Sequence, residues 1–185
     1  MKLSILIPTL EKRKLQFEQL RSYLKKQILE LDAIEDVEIL FMRDNGEQTI
    51  GEKRNTLLST AKGKYSCFID DDDWVCGDYV NLLLKGIEAD PDCISLIGII
   101  TTNSKNPKRF IHSNIYRDYE VRNGEYVRPP NHLNCIKSSI AKQFEFPEMN
   151  FGEDTDWAMQ ICKAGVLKKE HKVFKPIYFY NYIPK

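Results

Sequence analysis

Short apolar runs and amphipathic stretches alternate through the first hundred residues. Residues 3–7 (Leu3-Ser4-Ile5-Leu6-Ile7) are apolar and stop at Pro8, which predicts a buried strand. Phe17, Leu20, Leu24, Ile28 and Leu31 then recur at three- and four-residue steps among Lys, Glu and Gln, the pattern of a long amphipathic helix. Residues 37–42 read as a second buried strand closed by the turn signal Asp44-Asn45-Gly46. A helix is expected over residues 52–61, with Leu57, Leu58 and Ala61 inward and Gly63 after it. Residues 65–69 form a third strand that runs into Asp70-Asp71-Asp72-Asp73. Tyr79, Val80, Leu83 and Ile87 mark another helix, and residues 94–100 a further strand.

Strand and helix in alternation predict an α/β fold, with a mostly parallel central sheet flanked by helices. In such sheets ligands bind beyond the carboxyl ends of the strands. Thr9-Leu10-Glu11, Arg43-Asp44 and the aspartate run all sit at those ends, so they are expected to converge.

The second half is less regular. Residues 103–130 are polar with scattered aromatics and predict loops and short strands. A strand is expected at 133–136, a short helix at 138–144, a helix over 156–164 with Trp157, Ala158, Ile161 and Cys162 inward, and a last strand at 177–182. No repeat or low-complexity linker interrupts the chain, so residues 1–185 are expected to form one domain.

Composition narrows the class. There are 27 basic and 27 acidic residues, so the formal net charge is zero and a globally basic nucleic-acid binder is not indicated. The five cysteines are odd in number and none is spaced as CxxC, which argues against a disulfide framework or structural zinc and fits a reducing compartment. The apolar run at the start is too short for a signal peptide, and the longest apolar stretch, broken by Ser95 and Gly98, is too short to span a bilayer. A cytoplasmic location is expected, or a host-cytoplasmic one for a viral protein.

Four adjacent carboxylates are poor for folding alone. Unit charges about 4 Å apart repel by roughly 4 kcal/mol at an effective dielectric near 20. A divalent cation with oxygen ligands would compensate them. If the backbone stays extended, Asp70 and Asp72 point one way and Asp71 and Asp73 the other. The plainer reading is a solvated turn in which Asp73 caps the next helix. The position at the end of a buried strand favours a ligand site.

Glu153, Asp154 and Asp156 lie at an expected helix start. There they would serve as caps and dipole partners, or one would act as a general base. His112, His132 and His171 show no metal-ligand spacing. Between residues 105 and 128, Lys105, Lys108, Arg109, Arg117, Arg122 and Arg128 alternate with Phe110, Tyr116, Tyr119 and Tyr126. A solvated loop packing its tyrosines accounts for this, and an anionic ligand is the alternative.

Together these pieces resemble the GT-A (Rossmann-like) fold of family 2 glycosyltransferases over nearly the whole chain. Ser4-Ile5-Leu6-Ile7-Pro8-Thr9 is similar to the family's first strand and nucleotide-contacting loop. Asp44 sits where its base-contacting aspartate ends the second strand. Gly51-Glu52-Lys53-Arg54-Asn55 resembles its Gly-x-Ala-Arg-Asn helix start, with Lys53 where a small residue is usual. The stretch from Ala61 to Asp73 resembles the approach to the DxD motif, and Gly152-Glu153-Asp154-Thr155-Asp156-Trp157 the ED motif. The family often has Tyr-Asn where this chain has Leu10-Glu11.

The resemblance implies an inverting transferase that moves a sugar from a nucleotide-diphosphate sugar, with uracil the favoured base, to an acceptor hydroxyl. It implies that Pro8, Thr9, Asp44 and Arg54 contact the nucleotide and that Asp70 or Asp71 holds the ribose. Asp72 would ligate Mn2+ or Mg2+. Asp154, beside Glu153, would be the catalytic base. The first hundred residues would bind the donor, and residues 101–185 would bind a glycan or other hydroxyl-bearing acceptor, anionic in one reading, and carry the base. Some GT-A enzymes place a metal-ligating histidine near the position of His171. A nucleotidyltransferase would need a glycine-rich loop after the first strand, and residues 8–15 contain no glycine. A non-catalytic sugar- or nucleotide-binding module is the remaining alternative, opposed by the presence of both acidic clusters.

Overall fold

The computed structural model describes residues 1–183. The chain runs β1 (Leu3–Leu10), a 3-10 turn (Glu11–Arg13), α1 (Lys14–Glu30), β2 (Val37–Asp44), α2 (Ile50–Thr60), β3 (Tyr65–Phe68), β4 (Trp74–Val75) and α3 (Tyr79–Glu88). It continues through β5 (Cys93–Ile94), β6 (Leu96–Thr102), β7 (Lys105–His112), β8 (Glu120–Arg122), β9 (Glu125–Arg128), β10 (Ile136–Lys137) and α4 (Ser138–Ala141). It ends with α5 (Glu153–Ala164), β11 (Glu170–His171) and β12 (Tyr178–Tyr182).

The central sheet has the order β11-β5-β10-β3-β1-β2. β1 pairs in parallel with both β2 and β3, while β10 runs antiparallel between β3 and β5. The sheet is therefore mixed, with its parallel part where the strand-helix alternation predicts it. Period-two alternation along β1 sorts the two faces. Leu3, Ile5 and Ile7 pack with Phe17, Leu20, Leu24 and Ile28 of α1 and with Tyr79, Val80, Leu83 and Ile87 of α3. Leu6 faces the opposite way, with Leu57 and Leu58 of α2 and Trp157 and Ile161 of α5. Gln27 ties α1 to α3, donating to the Cys76 carbonyl at 3.0 Å and accepting from the Val80 amide at 3.1 Å.

A second sheet, β4-β12-β6-β7-β9-β8, stands beside the first. The single strand expected at 94–100 is split at Ser95, whose amide bonds the His171 carbonyl and whose hydroxyl accepts from the Val173 amide, both at 2.8 Å. The chain thereby passes from one sheet to the other in one residue. The polar stretch, expected to hold loops and short strands, supplies β7, β8 and β9; β8 and most of β7 are exposed and carry no apolar signature, while β9 is half-buried around Val127. Its charges pair locally, Arg109 with Glu125 at 3.1 Å and Arg122 with Glu120 at 2.7 Å. Arg128 lies over Tyr119 and Lys108 over Tyr126.

Strands from both halves of the chain interleave. β10 and β11 complete the first sheet and β4 the edge of the second. Of the strand expected at 133–136, only Ile136 lies in β10. All five cysteines are free. No helix among the described residues is long and apolar enough to cross a membrane.

α2 begins two residues before the expected Glu52, because Thr49 and Glu52 form a reciprocal capping box. Its second residue, Gly51, is pressed against the strap that leads to α5. A Cβ there would lie 1.9 Å from the Pro147 carbonyl oxygen, while the Gly51 amide donates to the Met149 carbonyl at 3.2 Å. Helix propensity alone favours alanine over glycine by up to about 1 kcal/mol. We expect the opposite sign here: Gly51→Ala should destabilise the protein by about 1–3 kcal/mol, as overpacking does. Chemical denaturation measures it, and an unchanged or raised midpoint would contradict the contact.

Candidate active site

The carboxyl ends of β1, β2 and β3 open on a cleft of about 550 Å³. Pro8, Thr9, Arg13, Lys53, Arg54, Asp70, Asp71, Asp72, Phe151 and Glu153 are among the residues that line it. Of the three polar clusters expected to converge, Thr9 and the aspartate run meet at the cleft and Asp44 is joined to them through Lys53, while Glu11 and Arg43 are not among the lining residues. Thr9 at the end of β1 donates its hydroxyl to Asp71 at 2.6 Å, across 62 residues of sequence.

The centre of the site is Arg54. The Thr49 cap fixes where α2 starts, and one turn later the Arg54 side chain is 4% exposed. It bonds Asp70 at 3.0 Å through Nη2 and Glu153 at 3.2 Å through Nε. Its guanidinium carbon lies 5.2 Å from the Phe68 ring centroid and 5.9 Å from that of Phe146. Burial alone would push Arg54 towards losing its proton. Asp70, Glu153 and Asp154 outweigh that and hold it charged. Among the described residues Nη1 is buried without a hydrogen-bond partner.

The four aspartates do not alternate as an extended strand would place them. β3 ends at Phe68, and the Asp73 amide bonds the Asp70 carbonyl at 3.1 Å, closing a turn. Each carboxylate meets different partners. Asp70 lies between Arg54 and His132, whose Nε2 is 3.5 Å away. Burial raises its pKa, but Arg54 and then His132 prevail and hold it well below the usual carboxylate range. Asp71 is buried and bound by Thr9 and by Arg13 at 2.7 Å. Asp73 does not cap α3, which starts at Tyr79 with Asp78 before it. Instead it accepts from the Tyr178 hydroxyl at 2.7 Å, and burial together with Asp70 pushes its pKa well up.

Asp72 is the open member, with its side chain 52% exposed and Arg13 at 3.0 Å. Burial raises its pKa, Arg13 opposes this, and Asp70 and Asp71 add to the rise, so its negative charge is under-compensated. That is the electrostatic setting a hard divalent cation relieves, and one or two carboxylates plus ligand phosphates suffice for such an ion. Among the described residues no cluster of three acids, histidines or cysteines forms a ready-made metal cage. One open carboxylate at Asp72 fits a cation that takes its other ligands from a phosphate and water.

At α5 the helix is entered through Gly152, in the left-handed conformation with φ 83°, not through a capping acid. Glu153 is committed to Arg54. Asp154 is the freer carboxylate, 27% exposed, with His132 Nδ1 3.6 Å from its Oδ2. His132 thus stands between Asp70 and Asp154. Its spacing gave no hint of this, yet the loop that carries it, residues 129–136, is buried throughout, with Asn131 and Asn134 inside. The loop docks along β3 through the bond from the Phe68 amide to the His132 carbonyl at 2.9 Å.

Asp44 accepts from the Gly46 and Gln48 amides at 3.0 Å each and from Lys53. Lys53 and Arg13 had no assigned role in the sequence, because basic residues on helices usually face solvent. His171 pairs with Ile94 in β11 and packs beside Gly86, apart from the residues that line the cleft. Glu11 turns outward to Arg43 at 2.9 Å.

Removing one partner of a buried ion pair strands the others. Arg54→Met should therefore destabilise the protein by roughly 3–5 kcal/mol. Lys2→Met, which breaks the exposed Lys2–Asp36 pair, should cost far less, because solvent screens that pair. Urea denaturation of both variants tests this, and equal costs would remove Arg54 from the centre of the site.

Comparison with known proteins agrees with this geometry. The family described as Glycosyl transferase family 2 matches residues 19–149, more than half of the chain, a stretch that includes Asp44, Arg54 and the four aspartates. No curated protein matches. Among solved structures, residues 1–349 of S. aureus TarS in complex with UDP-GlcNAc superpose with a TM-score of 0.65 at 16% identity, covering 100% of this chain and 60% of that one. The same protein in complex with UDP gives 0.61 at 15%, covering 98% and 61%. The chain spans about three fifths of those structures, and at this identity the likeness shows a shared fold. With the family matched across most of its length and the fold that of a glycosyltransferase, the chain belongs to glycosyl transferase family 2.

Proposed function

We propose that the chain is an inverting glycosyltransferase that moves a sugar from a nucleoside-diphosphate sugar to an acceptor hydroxyl. The observation that carries this reading is the Arg54 bridge. It draws Asp70, at the end of β3, and Glu153, at the start of α5, onto one cleft wall, with Asp154 and His132 directly behind. A site for sugar transfer needs a cationic and hydrogen-bonding wall for a diphosphate and a carboxylate free to take a proton. Arg54 with its unpartnered Nη1 supports the first role and Asp154 the second. S. aureus TarS, which shares the fold, is solved with UDP-GlcNAc and with UDP, and on that likeness we favour a uridine-diphosphate sugar as donor.

In this reading Pro8, Thr9, Asp44 and Arg54 surround the nucleotide, and Asp70 or Asp71 approaches the ribose. The Asp71 side chain is 3% exposed and that of Asp70 32%, so Asp70 is the better placed of the two. Mn2+ or Mg2+ held by Asp72 and the diphosphate would stabilise the leaving group as a Lewis acid. Asp154 takes the proton of the acceptor hydroxyl. The acceptor oxygen then bonds to the anomeric carbon as the bond to the diphosphate breaks, and the nucleoside diphosphate leaves with the electron pair. Glu153 acts one step back, fixing Arg54. His132 holds Asp154 and Asp70 in register. Residues 1–100 bind the donor, and residues 101–185 supply the base and the acceptor surface. The protein works in a reducing, cytoplasmic setting.

A thermal-shift screen of nucleoside diphosphates with and without manganese tests the donor class. A ligand at 100 times its Kd stabilises the native state by about 2.7 kcal/mol. We expect manganese-dependent stabilisation by UDP. No response to any nucleotide would overturn the reading. For the chemistry, Asp154→Asn should lower turnover by about 10²-fold or more while leaving UDP binding within about threefold. Undiminished turnover would remove Asp154 from the mechanism.

A further inference from the structure

Lys53 departs from the family's usual small residue, and the reaction above does not use it. Its side chain is 3% exposed and lies on the cleft wall. Nζ donates to the Thr9 carbonyl at 2.9 Å and to Asp44. An ammonium carries three donors, so one remains without a protein partner among the described residues. Asp44 behind it accepts from Lys53 and from the Gly46 and Gln48 amides. A carboxylate has about four lone-pair sites, so one acceptor position is also left. Burial raises the Asp44 pKa, but Lys53 and the two amides prevail and hold it ionised, as an acceptor only.

This pair is poorly suited to phosphate. The carboxylate repels an anion at nearly the range over which the ammonium attracts it, so the two largely cancel. Lys12 and Arg54 elsewhere on the cleft wall carry charge better suited to that task. A donor beside an acceptor, with no net charge between them, instead suits the edge of a neutral heterocycle. The surroundings agree: Pro8 and Ile50 give apolar surface in the same cleft, and Gly46 has no atom within 4 Å of where a Cβ would stand.

We propose that Lys53, backed by Asp44, is the residue that selects the donor's base: it donates to a ring carbonyl while Asp44 accepts the neighbouring imide N–H. The inference rests on the nucleoside-diphosphate-sugar reading and adds to it a specificity residue. Uracil offers O4 and N3–H to the pair. Cytosine in the same position sets its 4-amino group against the ammonium and its N3 lone pair against the carboxylate. A buried hydrogen-bonding mismatch of this kind is worth about tenfold or more in affinity.

Isothermal titration of UDP and CDP, with manganese present, tests this on the wild-type protein, Lys53→Met and Lys53→Gln. The wild type should bind UDP at least about tenfold tighter than CDP, and both variants should bring the two within about threefold. A residue needed only for packing would weaken both ligands and leave their ratio intact. Thermal melts establish that the variants fold, and the wild-type ratio is decisive by itself if they do not. Equal binding of UDP and CDP by the wild type, a preference for CDP, or a ratio that survives in the variants would overturn the role of Lys53 while the transferase reading stands. Binding of neither nucleotide would overturn both.

Discussion

The site depends on one buried cation. Arg54 joins three parts of the chain: α2 that carries it, the turn after β3 through Asp70, and the first residue of α5 through Glu153. Taking three charged groups out of water costs several kcal/mol each before their attraction is counted. A core of apolar residues would hold α2 against α5 more cheaply, and Leu57, Leu58, Trp157 and Ile161 already do so one layer away. The ionic bridge is therefore better understood as a means of fixing carboxylates in a cleft than as a source of stability.

From that bridge the inequivalence of the four aspartates follows. Asp70 is neutralised by Arg54 and His132, Asp71 is closed in by Thr9 and Arg13, and Asp73 is withdrawn to Tyr178 of the second sheet. Tyr178 also receives the Asp70 amide at 3.2 Å, so one hydroxyl clamps both ends of the turn. Only Asp72 is left half-exposed with surplus negative charge. A row of four identical residues thus becomes one half-exposed carboxylate and three anchored ones. The second sheet has a part in this, because β12 carries Tyr178 to the turn.

Much of this was legible in the sequence where burial is one-sided and periodic. Phe17, Leu20, Leu24 and Ile28 mark α1, and Leu3 to Ile7 mark β1, because each presents apolar groups at the spacing its geometry requires. The place of Asp44 and the aspartate run at strand ends then located the cleft. What escaped notice has physical reasons. Short strands are expected between residues 103 and 130, but their bounds are not legible, because β8 and most of β7 are exposed and lack an apolar face. The break at Ser95 is a change of sheet inside one apolar run, which periodicity does not register. His132 sits in a buried loop with no regular repeat, and Lys53 and Arg13 look like ordinary surface cations until their carboxylate partners are seen. The acids at α5 read equally as caps or as a general base, and neither reading foresaw that Gly152 turns the chain and that Glu153 reaches Arg54.

In the proposed function the cleft beside Arg54 receives a nucleoside diphosphate with a cation at Asp72. A crystal structure grown with UDP and manganese, phased for the manganese anomalous signal, tests it most directly. The account predicts an anomalous peak against the Asp72 carboxylate, with the diphosphate between that ion and Arg54. A nucleotide bound outside this cleft, or manganese found away from Asp72, would contradict it.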